Sequence, residues 1–281
     1  MEETVKSILV VEDDPTTRRL AEGLLAGAGY SVTTAVDGPE ALEKLRSAPF
    51  DLALLDVWMP GMSGLELVGR LRARSPDLRV VIMTSDDAPQ TLLKAVAEQA
   101  DRYVPKPLDA KRLLATVQRV LTARPSQHPI EVVSARSDWI ELLVPCERAA
   151  AERIQDFLSH LDAGLPEDVR DAVGRAFHEL LMNAMEWGGR FDPARKVRIS
   201  YLRFRRMLLY RIADPGQGFR LEDLKHAAVG NEPGQPLEHL RVREERGMRA
   251  GGFGLALTRA LVDELLYNEA HNEVVFVKYL E

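Results

Sequence analysis

The first 122 residues alternate short apolar runs with longer amphipathic segments, and this rhythm limits what the chain can fold into more than any single motif does. The spacing predicts strands over 7–11, 31–35, 52–56 and 80–84, with a short one starting at Tyr103. Between and after them it predicts helices over 15–28, 39–47, 64–74, 89–98 and 110–122. Asp14 is placed to cap the first helix, with Pro15 at its first position,. Such a (βα)5 series implies a doubly wound parallel sheet with helices on both faces, an α/β unit.

Open parallel sheets carry their working residues at the carboxyl ends of the strands. The first strand here ends in Glu12-Asp13, the third in Asp56 and the fourth in Thr84-Ser85, and Lys106-Pro107 follows the fifth. Folding would gather three carboxylates, a hydroxyl and an ammonium into one crevice. Clustered carboxylates need a cation, and an all-oxygen site with few protein ligands suits Mg2+. One carboxylate is then free to act as nucleophile toward a phosphoryl group. Each residue alone reads more simply as a helix cap, a strand end or a loop charge. Their joint order at the strand ends does not.

The segments ILVVEDDP, DLALLDVWMPGMSG, VIMTS and YVPKPL together resemble the receiver family of response regulators, across nearly all of residues 5–122. The resemblance implies that Asp56 is the phosphoacceptor and that Glu12 and Asp13 are the metal pair, with Asp13 the direct ligand. It gives the carbonyl of Trp58 as a further metal ligand, Thr84 as the switch hydroxyl and Lys106 as the phosphate-pairing lysine. Tyr103 stands at the position of a rotating aromatic. Phosphorylation is expected to draw Thr84 inward, let Tyr103 turn and change the face of the fourth and fifth helices. A sensor histidine kinase or phosphotransfer protein is the implied donor.

Beyond 122 the rhythm changes. The stretch 123–137 reads as a linker, with two prolines and no apolar periodicity in its first half, and 138–281 as a second domain. There a strand is predicted over 140–144, helices over 148–161 and 166–187, paired strands over 196–204 and 207–213, a helix over 254–266 and a last strand over 273–279. Two helices facing a mostly antiparallel sheet make an α+β sandwich.

Three clusters in this half carry chemistry. In FHELLMNAMEWG, Glu179 and Asn183 stand four residues apart and share a helix face, offering a carboxylate beside an amide oxygen,. In DPGQGF, Asp214 follows an apolar strand and precedes two glycines, so it can accept a hydrogen bond where backbone approaches a ligand,. In RAGGFGL, glycines lead into a helix N-terminus, a cradle for phosphate,. Singly these read as a wet helix face, a turn and a flexible loop.

In this order they resemble the N, G1 and G2 boxes of the Bergerat (GHKL) ATP-binding fold, in its anti-sigma-factor, serine-protein-kinase branch. The resemblance implies ATP and Mg2+ as cofactors, with Asn183 on the metal, Glu179 as general base and Asp214 on adenine. Gly216 and Gly218 shape the nucleotide floor, Gly251, Gly252 and Gly254 hold phosphates, and 220–250 forms a lid carrying Arg241, Arg243, Arg246 and Arg249. The implied partner is an anti-sigma antagonist of STAS-type fold, phosphorylated on serine, or a sigma factor. The same boxes serve a nucleotide-binding, non-catalytic interaction module gated by the receiver. Trp187 departs from the branch, which often has histidine there. A phosphoacceptor-histidine hairpin is missing before the ATP domain, so a hybrid histidine kinase is not expected.

Composition narrows the rest. The net charge is −6 over 281 residues with no basic stripe, so direct nucleic-acid binding is not expected,. A single cysteine, Cys146, excludes an internal disulfide and fits a reducing cytoplasm,. Acids precede the first apolar run, unlike a signal peptide, and no stretch approaches the ~18 apolar residues of a membrane span,. A homodimer is left open.

Overall fold

Ile8–Val11 lies inside a sheet, with a strand on either side, and is buried on both faces, which is why this run can be wholly apolar,. In the computed structural model β1 (Ser7–Val11) pairs in parallel with β2 (Ser31–Ala35) and β3 (Leu52–Asp56). β4 (Arg79–Thr84) and β5 (Arg102–Pro105) complete the order β2-β1-β3-β4-β5. Residues 5–85, 89–123, 128–136, 139–162, 164–219 and 254–280 are described by the structure. They fall into two units that divide between Gln127 and His128.

In the first unit Ile8, Val10, Leu52, Leu54, Val81 and Met83 share one sheet face with Ala21 and Leu25 of α1 (Pro15–Gly27) and Leu113 and Val117 of α5 (Ala110–Thr122). Leu9, Val11, Ala53, Leu55, Val80 and Ile82 alternate with them onto the other face and are as fully buried,. Side chains cap the helix starts. Asp14 accepts from the Thr17 N–H at 2.7 Å, and Asp37 from Glu40 at 2.8 Å at the head of α2 (Gly38–Ser47). Ser63 caps α3 (Gly64–Arg74), and Asp109 caps α5. Each such cap stabilises its helix by about 1 kcal/mol. α4 (Pro89–Ala97) completes the set, and the Lys106–Pro107 peptide is cis.

The chain runs outward from β1 to β2 and then crosses back to β3. The strand order therefore reverses between β1 and β3, the place where an open sheet leaves a crevice above its carboxyl ends,. Glu12 follows β1 there and Asp56 ends β3.

The second unit is one antiparallel sheet ordered β10-β11-β9-β8-β7-β6. Its strands are β6 (Glu131–Ala135), β7 (Trp139–Pro145), β8 (Lys196–Phe204), β9 (Met207–Ala213), β10 (Glu264–Tyr267) and β11 (Glu273–Tyr279). Helices α6 (Arg148–Leu161), α7 (Glu167–Asn183) and α8 (Gly254–Leu261) accompany it. Ile140, Tyr201, Tyr210 and Phe276 face each other in register across four strands and are all buried. Tyr210 stacks on Phe276 at 4.8 Å between centroids and meets Phe177 of α7 at 5.4 Å. Asp162, just past α6, accepts hydrogen bonds from the hydroxyls of Tyr201 at 3.0 Å and Tyr210 at 2.6 Å. Burial pushes its carboxyl above the usual range, and the two tyrosine bonds offset part of that,.

Three sequence expectations change. Glu131–Ala135, inside the stretch read as a linker, is the edge strand β6, whose backbone pairs with β7 despite one bulge,. The helix expected over 254–266 ends at Leu261. Asp263 then takes the Tyr279 N–H and Lys278, and Glu264–Tyr267 pairs with Val274–Val277 as β10. The run LVDELLY fits either period, and the ladder to β11 decides. The helix expected over 166–187 is α-helical only to Asn183 and continues as one π turn, Ala184–Gly188, closed by the Gly189 N–H on the Ala184 carbonyl at 2.9 Å,.

Candidate functional site

The crevice of the first unit holds Glu12, Asp13 and Asp56 with one carboxylate oxygen from each within 4.8 Å of the others. Glu12 and Asp56 are buried and Asp13 is exposed. Arg18 of α1 donates to the main-chain carbonyls of Glu12 at 2.7 Å and Asp13 at 3.0 Å and so fixes the backbone that presents them. Lys106 reaches in from the loop after β5, with Nζ 2.7 Å from Glu12 and 2.9 Å from Asp56. Burial raises the Glu12 pKa; the lysine bond opposes that and the Asp56 charge adds to it. Burial also works against charge on Lys106, but its bonds to Glu12 and Asp56 outweigh it and leave its pKa raised.

Three carboxylates against one ammonium leave a negative excess lined by hard oxygen donors. Mg2+ fits that donor set. Thr84 is buried at the end of β4, and Tyr103 is buried on β5. Trp58 is two residues past Asp56 and 59% exposed. Gly64 approaches so closely that a β-carbon there would overlap the Asp56 carbonyl oxygen, and its N–H bonds the Val57 carbonyl at 3.0 Å.

In the second unit the described parts of the three clusters come together. Glu179 and Asn183 lie on adjacent turns at the end of α7, both partly exposed. Gly254 heads α8, which packs on α7, and a β-carbon on it would overlap Glu179 Oε2. Gly188, at the close of the π turn, lies equally tight against the Asp214 carboxylate. Asp214 Oδ1 accepts from the Gly216 N–H at 2.7 Å. Burial raises the Asp214 pKa, which the Gly216 bond and the Arg195 charge partly offset. Gly218 has φ +81° against the Ala270 carbonyl, where any side chain would collide,. Gly251, Gly252, Arg241, Arg243, Arg246 and Arg249 lie outside the described residues. Trp187 is 55% exposed on the π turn. Cys146 is buried against Gly189, with its thiol pushed up to about 11 by burial.

The family described as "Response regulator receiver domain" matches residues 8–118, and that described as "Histidine kinase-like ATPase domain" matches residues 144–278. The chain joins a receiver domain to a histidine-kinase-like ATPase domain. The DNA-binding transcriptional regulator NtrC of Escherichia coli is 40% identical to it over 115 residues, 41% of this chain and 24% of that one. The transcriptional regulatory protein ZraR of Klebsiella oxytoca is 33% identical over 179 residues, 61% of this chain and 40% of that one. The chain thus spans well under half the length of these curated relatives. The chemotaxis protein CheY4 of Vibrio cholerae is 35% identical, with a TM-score of 0.41 over 42% of this chain and 99% of that one. Among the described residues, no helix is long and apolar enough to cross a membrane.

Sequence reasoning missed Arg18, Gly64, Arg195 and Asn272. The glycine in PGMSG, just after a strand that ends in an acid, was a usable signal for close approach. Arg195 and Asn272 gave none, because they reach the Asp214 turn from 20 and 56 residues away.

Proposed function

We propose that the receiver domain accepts a phosphoryl group on Asp56 from a sensor histidine kinase or phosphotransfer protein, and that the ATPase-like domain is the ATP-dependent output. The observation that supports this most is the placing of Lys106 Nζ within 2.9 Å of an Asp56 carboxylate flanked by Glu12 and Asp13. An Asp56 oxygen attacks phosphorus, the donor's bond to phosphorus breaks, and the leaving group departs with the electron pair. An acyl phosphate results. Lys106 exchanges carboxylate for phosphoryl oxygen, and Thr84 donates its hydroxyl to another. Mg2+, held by Asp13, Asp56 and the Trp58 carbonyl with Glu12 behind them, would neutralise charge.

In the second domain Asp214 takes the adenine amine above Gly216 and Gly218. Asn183 would hold Mg2+, Gly254 at the head of α8 would border the phosphates, with Gly251 and Gly252 proposed alongside it from the sequence, and Glu179 would orient the accepting hydroxyl. The output in this reading is serine phosphorylation of an anti-sigma antagonist of STAS-type fold, which frees or captures a sigma factor. Relatives named as DNA-binding regulators match this chain over 115 residues in the case of NtrC. That name describes NtrC, and this chain's own output is assigned to protein partners.

Incubation with acetyl phosphate and Mg2+ should leave a base-labile phosphate on the wild type and none on Asp56→Asn. Its absence from both would overturn the receiver assignment. Labelled ATP should pass its phosphate to the STAS-type partner, and Glu179→Gln should lose the transfer. ATP binding without any transfer would reduce the output to a nucleotide-gated binding module.

A further inference from the structure

The Asp214–Gly216 turn is built from outside. Three contacts fix it, two from Asn272 and one from Arg195. The Asp214 N–H donates to the Asn272 carbonyl at 2.9 Å. The Asn272 side-chain amide donates to the Gly216 carbonyl at 3.0 Å. Arg195, just before β8, donates through Nη2 to the Pro215 carbonyl at 2.6 Å.

Each contact has a follow-on. Asn272 is itself held in the turn between β10 and β11, where Asn268 Nδ2 donates to its Oδ1 at 2.8 Å and its own N–H donates to Asn268 Oδ1 at 3.1 Å. Arg195 belongs to a second turn, in which its N–H donates to the Asp192 carbonyl at 3.0 Å and its carbonyl accepts from Cys146. With two successive carbonyls anchored, the Gly216 N–H is aimed at Asp214 Oδ1. Among the described residues Asp214 Oδ2 accepts no hydrogen bond. Oδ1 thus fixes the carboxylate, and Oδ2 is the oxygen this reading assigns to a ligand.

We infer that Asn272 and Arg195 are positioning residues that orient the Asp214 carboxylate and thereby set selection of adenine over guanine nucleotides. This rests on the nucleotide reading of the second domain. A fixed acceptor rewards the exocyclic amine of adenine. Guanine presents a carbonyl at the same ring position, and two acceptors would then face each other in a half-buried site. Discrimination of this kind is large only when the acceptor cannot turn away. Both residues bond the main chain of the turn and not the Asp214 carboxylate, so their effect travels through the turn to Asp214.

The test uses the full chain and fluorescent analogues of ATP and GTP, with affinities measured for the wild type, Asn272→Asp and Arg195→Lys. Asn272→Asp keeps the shape and removes the donor to Gly216. The expected result is about tenfold weaker ATP binding, the worth of one hydrogen bond, with GTP affinity unchanged or improved, so that the ATP:GTP ratio falls. A merely structural role would weaken both nucleotides alike and leave the ratio where it was. A fall in the ratio in either variant supports the assignment for that residue. An unchanged ratio in both overturns it. A wild type that binds neither nucleotide overturns the ATP reading itself, and that outcome is read before any variant is made.

Discussion

Lys106 Nζ stands 2.9 Å from Asp56 Oδ1 and is the positive group that offsets the clustered carboxylates of the receiver crevice. Removing it should move two properties in opposite directions. In Lys106→Met the crevice gains negative charge, and opposite charges a few ångströms apart are worth a few kcal/mol near a protein surface. Mg2+ should therefore bind about tenfold tighter or better, while phosphorylation by a limiting donor slows by a similar factor. Trp58 emission under Mg2+ titration, with the other two tryptophans replaced by phenylalanine, reads the first. Phosphate incorporation reads the second. If both properties fell together, the lysine would be a structural prop.

Asp13 is the exposed member of the carboxylate group. Asp13→Asn removes one repelling charge and replaces a carboxylate ligand with a weaker, neutral amide oxygen. Without metal the variant should melt above the wild type. With excess Mg2+ the order should reverse, because the wild type binds the ion more tightly and gains more from it. Melts in EDTA and in excess Mg2+ check both signs.

Gly64 has no room for a side chain beside the Asp56 carbonyl. Gly64→Ala should cost the receiver about 1–3 kcal/mol, the usual price of overpacking. It should also slow acyl-phosphate formation more than Gly23→Ala, where a β-carbon meets nothing nearby. Chemical denaturation and phosphate incorporation, compared between the two variants, decide it.

Asp162 gives a pH prediction. Its folded pKa is raised by burial, so the folded state holds the proton more firmly than the unfolded chain does,. Its contribution is most favourable below the ordinary aspartate range and is lost as pH rises through the folded pKa. Asp162→Asn keeps partners for Tyr201 and Tyr210 without the charge, so it should gain on the wild type as pH rises from about 4 to 7. Asp162→Ala leaves two buried hydroxyls without their acceptor and should lose about 1–3 kcal/mol for each,. Melts of the second domain across that range would show the two variants diverging. If Asp162→Asn lost ground with rising pH, the sign would be wrong.

Much of this was legible in the chain because each feature is local. The strand ends carrying Glu12, Asp56, Thr84 and Lys106 are read directly from where apolar runs stop, and Asp14 declared its cap by its place before Pro15. The acid-and-amide face of Glu179 and Asn183 followed from helical spacing. What stayed hidden depends on distant partners. β6 looks like a linker until β7 is present to pair with it, and Glu264–Tyr267 continues a helical pattern until β11 claims it. The hold of Asn272 on Gly216 exists only after the sheet brings the last hairpin beside the turn.

The π turn at Ala184–Gly188 makes chain length, as distinct from residue type, a determinant of the second site. An α-helix advances about 100° per residue. The wide turn already absorbs one extra residue in a single revolution, so adding a further residue to it would rotate everything after it by that angle. Gly188 would then leave its place against Asp214. Conservative substitutions across this turn should be absorbed, whereas a one-residue insertion that alters no site residue should disable the site.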